Sequence, residues 1–169
     1  MAPNEAARRH HDGLFPNHVS TLAGTDPELI EIFDNFAFDE VLAETRLDTK
    51  TRTMMILASL IACQAVSEYK IMVGAALSVG VTPVQLKEIL YQSVPYVGMA
   101  RAFEFLNTTN EVLTSRGISL PLAGQSTTTP ETRHERGLAA QKAVKNVAQV
   151  KNGHGGGHLH ANVAFQVAA

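Results

Sequence analysis

The stretch SEYKIMVGAALSVGVTPVQLKEI, residues 67–89, contains the end of one helix and the beginning of the next. Gly80 suits the left-handed position that commonly follows the last turn of a helix, so the first helix is predicted over about 67–79. Thr82 and Gln85 then have the spacing of a capping box, with a first-turn proline between them. The stretch therefore predicts two consecutive helices joined by a tight connection.

Similar signals mark the helices on either side. Upstream, Thr25-Asp26-Pro27-Glu28 combines a cap, an early proline and a glutamate, and Asp48 is predicted to cap the following helix. The first of these helices carries an apolar stripe at helical spacing, formed by Leu29, Phe33, Phe36 and Ala37. Downstream, Pro95 and Gly98 are predicted to separate two further helices, the second of which ends at Gly117. The chain is therefore predicted to be an all-α helical bundle.

The helix after Asp48 is apolar almost all round. Between Met54 and Val66 its only polar residues are Ser59 and Gln64. A surface helix would show a polar face, so this pattern predicts a central helix that is covered on most sides. A domain of this size has few helices with which to cover it, and a neighbouring subunit would supply the remainder. The pattern therefore predicts a homo-oligomer.

Composition divides the chain into three parts. Residues 1–118 carry the helical signals, and 119–129 is rich in Pro, Gly, Ser and Thr, which is typical of a linker. In 130–169 a short helix is predicted over about 130–147, followed by a Gly/His-rich tail. Apolar and polar residues alternate over 159–167, which is typical of a strand, although glycine- and histidine-rich termini are commonly disordered.

Charge, hydropathy and cysteine content exclude several classes of function. The net charge is −2 and there are no Lys/Arg runs, so no attraction to nucleic acid is expected. The longest apolar run is shorter than the roughly 20 residues that span a bilayer, and the N-terminus lacks the apolar segment of a secretory signal. The only cysteine is Cys63, which excludes an internal disulfide. We therefore predict a cytoplasmic protein with no nucleic-acid or membrane partner.

With the helices placed, residues 47–118 closely resemble the carboxymuconolactone decarboxylase-like family, which includes the alkylhydroperoxidase D-like proteins. The segments that carry the resemblance are LDTKTR at 47–52, SEYKIMVGAALSVGVTPVQLKEI at 67–89 and PYVGMARAFEFLNTTNEVL at 95–113. The resemblance implies an all-α bundle that forms homotrimers or homohexamers, with sites near subunit boundaries. The chain resembles the first of the two repeats that some members carry.

The resemblance implies two chemistries, of which the first is peroxide reduction. Peroxidase-type members use a Cys-x-x-Cys pair and a downstream histidine, so that a thiolate attacks the peroxide and the second cysteine resolves the product. Here Cys63 has no such partner, and its sequence neighbours Ile61, Ala62, Ala65 and Val66 are apolar and disfavour a thiolate. We therefore interpret Cys63 as a core residue, with a one-cysteine peroxidase as the alternative.

The second chemistry is decarboxylation. Decarboxylase-type members place a histidine four residues after a glutamate on one helix face, where the imidazole can shuttle a proton as CO2 leaves. The matching residues here are Glu68 and Met72, and a methionine cannot exchange a proton. Glu68 is the candidate acid or base, and Arg52 is the candidate partner of a substrate carboxylate. Tyr96 could line the same pocket as Met72. The structural alternatives are a first-turn glutamate after a Ser67 cap, an ion-paired arginine and a tyrosine with its hydroxyl at the surface.

Three functions are therefore open. The first is a cofactor-free, decarboxylase-type enzyme that acts on a small carboxylated lactone or a related acid through Glu68. The second is a catalytically degenerate, oligomeric scaffold or binding protein, because the family's histidine and second cysteine are missing. The third is a peroxidase-like antioxidant activity through Cys63. A metal site at His154, His158 and His160 is a weaker alternative, and a tail without a function is favoured over it.

Overall fold

The computed structural model describes residues 2–16 and 18–152, and all regular structure in these residues is helical. In chain order the elements are α1 (Glu5–Leu14), a 3-10 turn (Thr21–Ala23), α2 (Pro27–Asn35), a π-helical turn (Phe36–Glu40), α3 (Val41–Glu44), α4 (Thr49–Ala62), α5 (Val66–Ser78), α6 (Pro83–Val97), α7 (Met99–Ser115) and α8 (Arg133–Asn152). The prediction of an all-α protein is confirmed.

Two predictions for the tail lie outside the described residues. These are the strand-like pattern over 159–167 and the candidate metal ligands His154, His158 and His160. Within 2–16 and 18–152, no helix is long and apolar enough to cross a membrane.

Two helix starts are capped as the sequence predicts. At the start of α6 the Gln85 backbone N–H donates to Thr82 Oγ1 (3.2 Å), and the Thr82 N–H donates to Gln85 Oε1 (3.0 Å). This reciprocal capping box satisfies two N–H groups that have no partner inside the helix. Asp48 likewise accepts from the Thr51 N–H at 2.9 Å. Gly80 follows α5 with a φ of +85°, so the predicted connection between α5 and α6 is confirmed.

Two other helix starts lie one and three residues from their approximate predicted positions. α5 begins at Val66 rather than after a Ser67 cap, because Gln64 adopts a left-handed conformation (φ +59°) and turns the chain one residue earlier. α8 begins at Arg133 rather than near 130, because residues 130–132 form a turn before the helix. In both places a capping residue is present in the sequence, but the turn that precedes the helix decides where the helix starts.

Pro95 does not separate two helices, contrary to the prediction. It lies inside α6, which continues to Val97 and ends at Gly98. A proline in the last turn of a helix forgoes one backbone hydrogen bond and its fixed φ is compatible with helix, so the helix continues past it. Gly98 ends the helix because its φ of +87° and ψ of 149° leave the helical region.

Substituting Gly98 with alanine is expected to destabilise the protein by about 1 to 3 kcal/mol, because residues with a Cβ avoid this backbone conformation. A Cβ at this position would meet no other atom within 4 Å, so the cost is backbone strain alone. Urea denaturation followed by circular dichroism measures the change in free energy of unfolding. Gly13→Ala, in exposed α1, is the matched control and is expected to be neutral or stabilising. Equal losses in the two variants would contradict the argument.

Helices α4 to α7 form a four-helix bundle. α4 and α5 run antiparallel because only residues 63–65 connect them, and α6 and α7 reverse direction at Gly98. α5 and α7 run parallel, since residue numbers rise together along the pairs that contact each other. Two hydrogen bonds show this order, Tyr69 with Thr109 (2.8 Å) and Lys70 Nζ with Glu111 Oε2 (3.1 Å).

The bundle therefore has two ends with different contents. We call the end that holds 63–65 and Gly98 the turn end. The other end holds 79–82, the connection between α5 and α6, together with residues 118–125, which follow α7. We call this the strap end, and 118–125 the strap.

The core of the bundle is one continuous apolar cluster with contributions from all four helices. Its fully buried side chains are Leu57, Ile61, Tyr69, Val73, Ala76, Leu86, Leu90, Phe105 and Leu113. The N-terminal elements pack mainly on one another, and α1 also contacts α5. The bundle is therefore the part of the molecule that can hold side chains in a fixed geometry.

The central helix α4 is covered less completely than predicted. Thr53, Leu57 and Ile61 are buried one turn apart, whereas Met55 is 55% exposed and Ile56 is 37% exposed. The isolated chain therefore covers one face of α4 and leaves an apolar face open, because α5 and α6 are the helices that pack against it in the bundle. Any further cover for this face would have to come from outside the described residues.

Candidate functional site

Glu68 and Met72, the two residues that the sequence resemblance matches to the family's decarboxylase pair, lie on α5 near the turn end. Glu68 is in the first turn of α5 and is exposed in the isolated chain. Within the described part of the chain, its side chain makes no hydrogen bond or ion pair. Met72, one turn later, is half-buried and packs against the apolar core. The side chain at position 72 is therefore a thioether, which does not exchange protons near neutral pH.

Cys63 is exposed, so the prediction that it is a core residue is wrong. It lies at the C-terminal cap of α4, where the helix ends and the chain turns towards α5, and its N–H donates to the Ser59 carbonyl. Its apolar sequence neighbours do not surround it, because a turn directs consecutive side chains to different sides. The thiol is accessible, but the chain contains no second cysteine to resolve an oxidised product.

Arg52 lies in the first turn of α4, near the strap end. It is half-buried, and burial lowers the pKa of its guanidinium. No carboxylate of the described residues lies within 4.0 Å of it, so the ion pair considered as its structural alternative does not form among these residues. At 1.5 Å per residue, Arg52 is about 16 Å along α4 from Cys63. A small molecule at Glu68 therefore cannot also contact Arg52 of the same chain.

Tyr96 belongs to the turn end. It is 86% exposed near the C-terminus of α6, and Met99 and Phe103 on α7 are more than half exposed at the same end. The structure thus brings Cys63, Glu68 and Tyr96 to one end of the bundle, but it encloses none of them. Any pocket at this end would need walls from outside residues 2–16 and 18–152.

A partly open site is present at the strap end. A cavity of about 400 Å³ lies between α6, α7 and the strap. Its polar lining comes from Lys87, Glu88, Tyr91, Asn110 and Gln125, and its apolar lining includes Val84, Leu120, Pro121 and Leu122. We call it the Lys87 cavity.

Lys87 is the most distinctive group in this cavity, because it is only 8% exposed. Its ammonium group donates a hydrogen bond to Asn110 Oδ1 on α7. No carboxylate among the described residues lies within 4.0 Å of Nζ. Burial lowers the pKa of Lys87, and burial raises the pKa of Glu88 beside it. The cavity therefore contains a largely buried lysine whose only hydrogen-bond partner among the described residues is a neutral amide.

Lys87 was not predicted as a site residue, although the sequence contains a signal for it. Pro83, Lys87, Leu90 and Val94 follow one another at the i+4, i+3 spacing of a single helix face. A lysine in such an apolar row is either extended to solvent or buried for a reason. The sequence could not distinguish these cases, because the strap that covers Lys87 is remote from it along the chain.

The match to a family model covers most of the bundle. A model described as the carboxymuconolactone decarboxylase family matches residues 27–111, which is half of the chain and runs from α2 into α7. This range includes every candidate residue considered above on α4, α5 and α6. No curated protein matches the chain. Among the described residues there is also no group of three or more His, Cys, Asp or Glu side chains that could hold a metal ion.

Proposed function

The chain belongs to the carboxymuconolactone decarboxylase family, and on this premise we propose that it binds a small carboxylate-bearing molecule without the family's histidine-dependent proton transfer. The observation that carries this proposal is the identity and exposure of residues 68 and 72 on α5. Met72 occupies the place of the histidine and packs into the core, while Glu68 is exposed. The protein is thus a binding member of the family that has lost the decarboxylase machinery.

The physical argument concerns the proton that must reach carbon when CO2 leaves. General acid–base catalysis contributes about 100- to 10,000-fold only when a group of suitable pKa lies within hydrogen-bond reach of the reacting atom. A thioether carries no ionisable proton. An exposed carboxylate such as Glu68 interacts with bulk water, where electrostatic effects are weak. We retain the family's substrate class because the Lys87 cavity contains a cation that suits a carboxylate.

A second candidate function is decarboxylation by Glu68 at a boundary between subunits. It is favoured by the exposed apolar side chains of Tyr96, Met99 and Phe103 at the turn end, where Glu68 also lies. A second copy of the chain that covers this end would place Glu68 in surroundings with little water. In such surroundings a lone carboxyl group could act as an acid or a base.

We expect the wild-type protein to show no turnover of carboxylated γ-lactones above the uncatalysed rate, and Glu68→Gln to behave identically. The reason is the missing imidazole, so Met72→His is expected to produce measurable turnover that disappears when Glu68→Gln is added. Met72→Gln, which is polar but does not titrate, is the matched control. Release of CO2 and loss of lactone absorbance measure the reaction. Wild-type turnover that is abolished by Glu68→Gln would overturn the proposal in favour of the second candidate.

A peroxidase-like activity is the remaining alternative, and the accessibility of the Cys63 thiol is the observation that favours it. In such a reaction the thiolate would attack the peroxide, and an external thiol would have to reduce the resulting sulfenic acid. The same panel of proteins tests this route if Cys63→Ser is included. Hydroperoxide consumption that requires Cys63 would establish it.

A further inference from the structure

We propose that the Lys87 cavity is the carboxylate-binding site of this protein, and that its ligand is a small monocarboxylate with an apolar body and a second oxygen substituent. The inference rests on the proposed binding function and adds to it a location, a cationic partner and a ligand class. It places the site at the strap end of the bundle, away from Glu68.

The charge of the cavity favours an anion. A lysine ammonium has three N–H donors, and Asn110 accepts from one of them, which leaves two for a ligand. A carboxylate has two oxygens that can accept from these donors. Burying an ammonium group without a counter-charge costs free energy, and a ligand carboxylate would offset that cost more fully than an amide does. The described residues supply no such carboxylate within 4.0 Å.

The walls of the cavity define the rest of the ligand. A volume of about 400 Å³ is within the range of roughly 300 to 1,000 Å³ that is usual for small-molecule sites. Val84 on α6 and Leu120 and Leu122 on the strap provide apolar surface. Tyr91 and Asn110 are also among the lining residues, and they carry a hydroxyl group and an amide nitrogen that can donate hydrogen bonds. These groups suit a hydroxyl or carbonyl oxygen on an otherwise apolar molecule.

Glu88 sets the pH dependence of binding. The titratable groups that line the cavity are Lys87, Glu88 and Tyr91, all on α6, while α7 and the strap contribute neutral side chains. As an anion Glu88 repels a ligand carboxylate, and burial raises its pKa. Affinity should therefore increase as the pH falls through the pKa of Glu88 in the folded protein, as long as the ligand itself stays ionised.

The test is calorimetric titration of the full chain with 4-hydroxybenzoate, with a carboxylated γ-lactone, and with 4-hydroxybenzamide as the uncharged analogue. We expect the wild type to bind at least one carboxylate and to bind the amide at least tenfold more weakly. Lys87→Met should weaken carboxylate binding at least tenfold, and Glu88→Gln should strengthen it about threefold to tenfold. Lys70→Met, which removes an exposed lysine from α5, should leave binding unchanged. Lys87→Gln serves as a second variant if Lys87→Met does not fold.

The possible outcomes distinguish an error in the location of the site from an error in the proposed carboxylate-binding function. Wild-type binding that survives both Lys87 substitutions would overturn the cavity as the site and leave the proposed binding function standing. Absence of carboxylate binding by the wild type would overturn the proposed function itself. Equal affinity for the acid and the amide would overturn the assignment of Lys87 as the partner of a carboxylate.

Discussion

Replacing Tyr69 with alanine is expected to lower the free energy of unfolding by about 3 to 5 kcal/mol, the usual cost of removing a large buried aromatic side chain. Tyr69 is fully buried, and its ring packs edge-on against Phe105 with centroids 5.0 Å apart. Thr109 Oγ1 donates to the Phe105 carbonyl, so the Tyr69 hydroxyl donates to Thr109 at 2.8 Å. The substitution therefore removes packing and a buried hydrogen bond together.

The change in free energy is measured by urea denaturation, and Tyr96→Ala is the matched control. Tyr96 is 86% exposed, so its substitution should change the free energy of unfolding by less than about 0.5 kcal/mol in the isolated chain. Comparable losses for the two tyrosines would show that α5 and α7 do not pack through Tyr69.

The Tyr69→Phe substitution isolates the hydroxyl group, with an expected cost of about 1 kcal/mol at neutral pH. It should also change the response to alkali. Burial raises the pKa of Tyr69 from 10.0 to about 12, so the folded protein keeps a proton that the unfolded chain loses first. The resulting stabilisation is complete below pH 10 and is lost as the pH rises from 10 to 12. The phenylalanine variant should lack this part of the decline.

Local signals in the sequence were sufficient to predict most helices. The Thr82 and Gln85 capping box, the Asp48 cap and the left-handed Gly80 involve residues that are close in sequence, and the structure places each as predicted. Ser67, in contrast, does not cap α5, whose N-cap residue is Ala65. A capping side chain competes with the turn before it, and the left-handed conformation of Gln64 could not be read from residue types.

The candidate site was harder to predict, because a site depends on contacts between remote parts of the chain. Cys63 was assigned to the core from apolar sequence neighbours, but its exposure is decided by the turn between α4 and α5. Arg52 and Glu68 were assigned to one pocket, yet antiparallel packing of α4 and α5 puts them at opposite ends of the bundle. Lys87 is enclosed by a segment that we predicted as part of a linker, and only the folded chain shows that Leu120 to Gln125 line a cavity with it.

The predicted homo-oligomer leads to the second large effect, on the α2 stripe, which is the apolar face of α2 together with Phe36, the first residue of the π-helical turn. Leu29, Ile32, Phe33 and Phe36 are each 54–61% exposed, and their spacing places them on one face. Completing the burial of these four half-exposed side chains would stabilise the assembly by roughly 1 kcal/mol for each side chain. Together this is about a thousandfold in the association constant. We therefore expect the double substitution Ile32→Asp with Phe36→Asp to convert an oligomer into a monomer. Light scattering at micromolar concentration should report 18.2 kDa for the variant and a multiple of that mass, a trimer or hexamer, for the wild type.

Both substituted residues are exposed in the isolated chain, so the aspartates should affect association rather than folding, and an unchanged helical circular dichroism spectrum checks this. Val19→Asp introduces the same charge at a residue that is 78% exposed and outside the stripe, and it should leave the assembly intact. A wild-type monomer would contradict the predicted oligomer. A double variant that stays assembled would exclude the α2 stripe as the interface and would make Met55 and Ile56 on α4 the next candidates.

A dissociated variant also tests whether decarboxylation by Glu68 depends on assembly, because Glu68 is exposed in the isolated chain. Turnover that is present in the oligomer and lost on dissociation would require a site completed by a second copy.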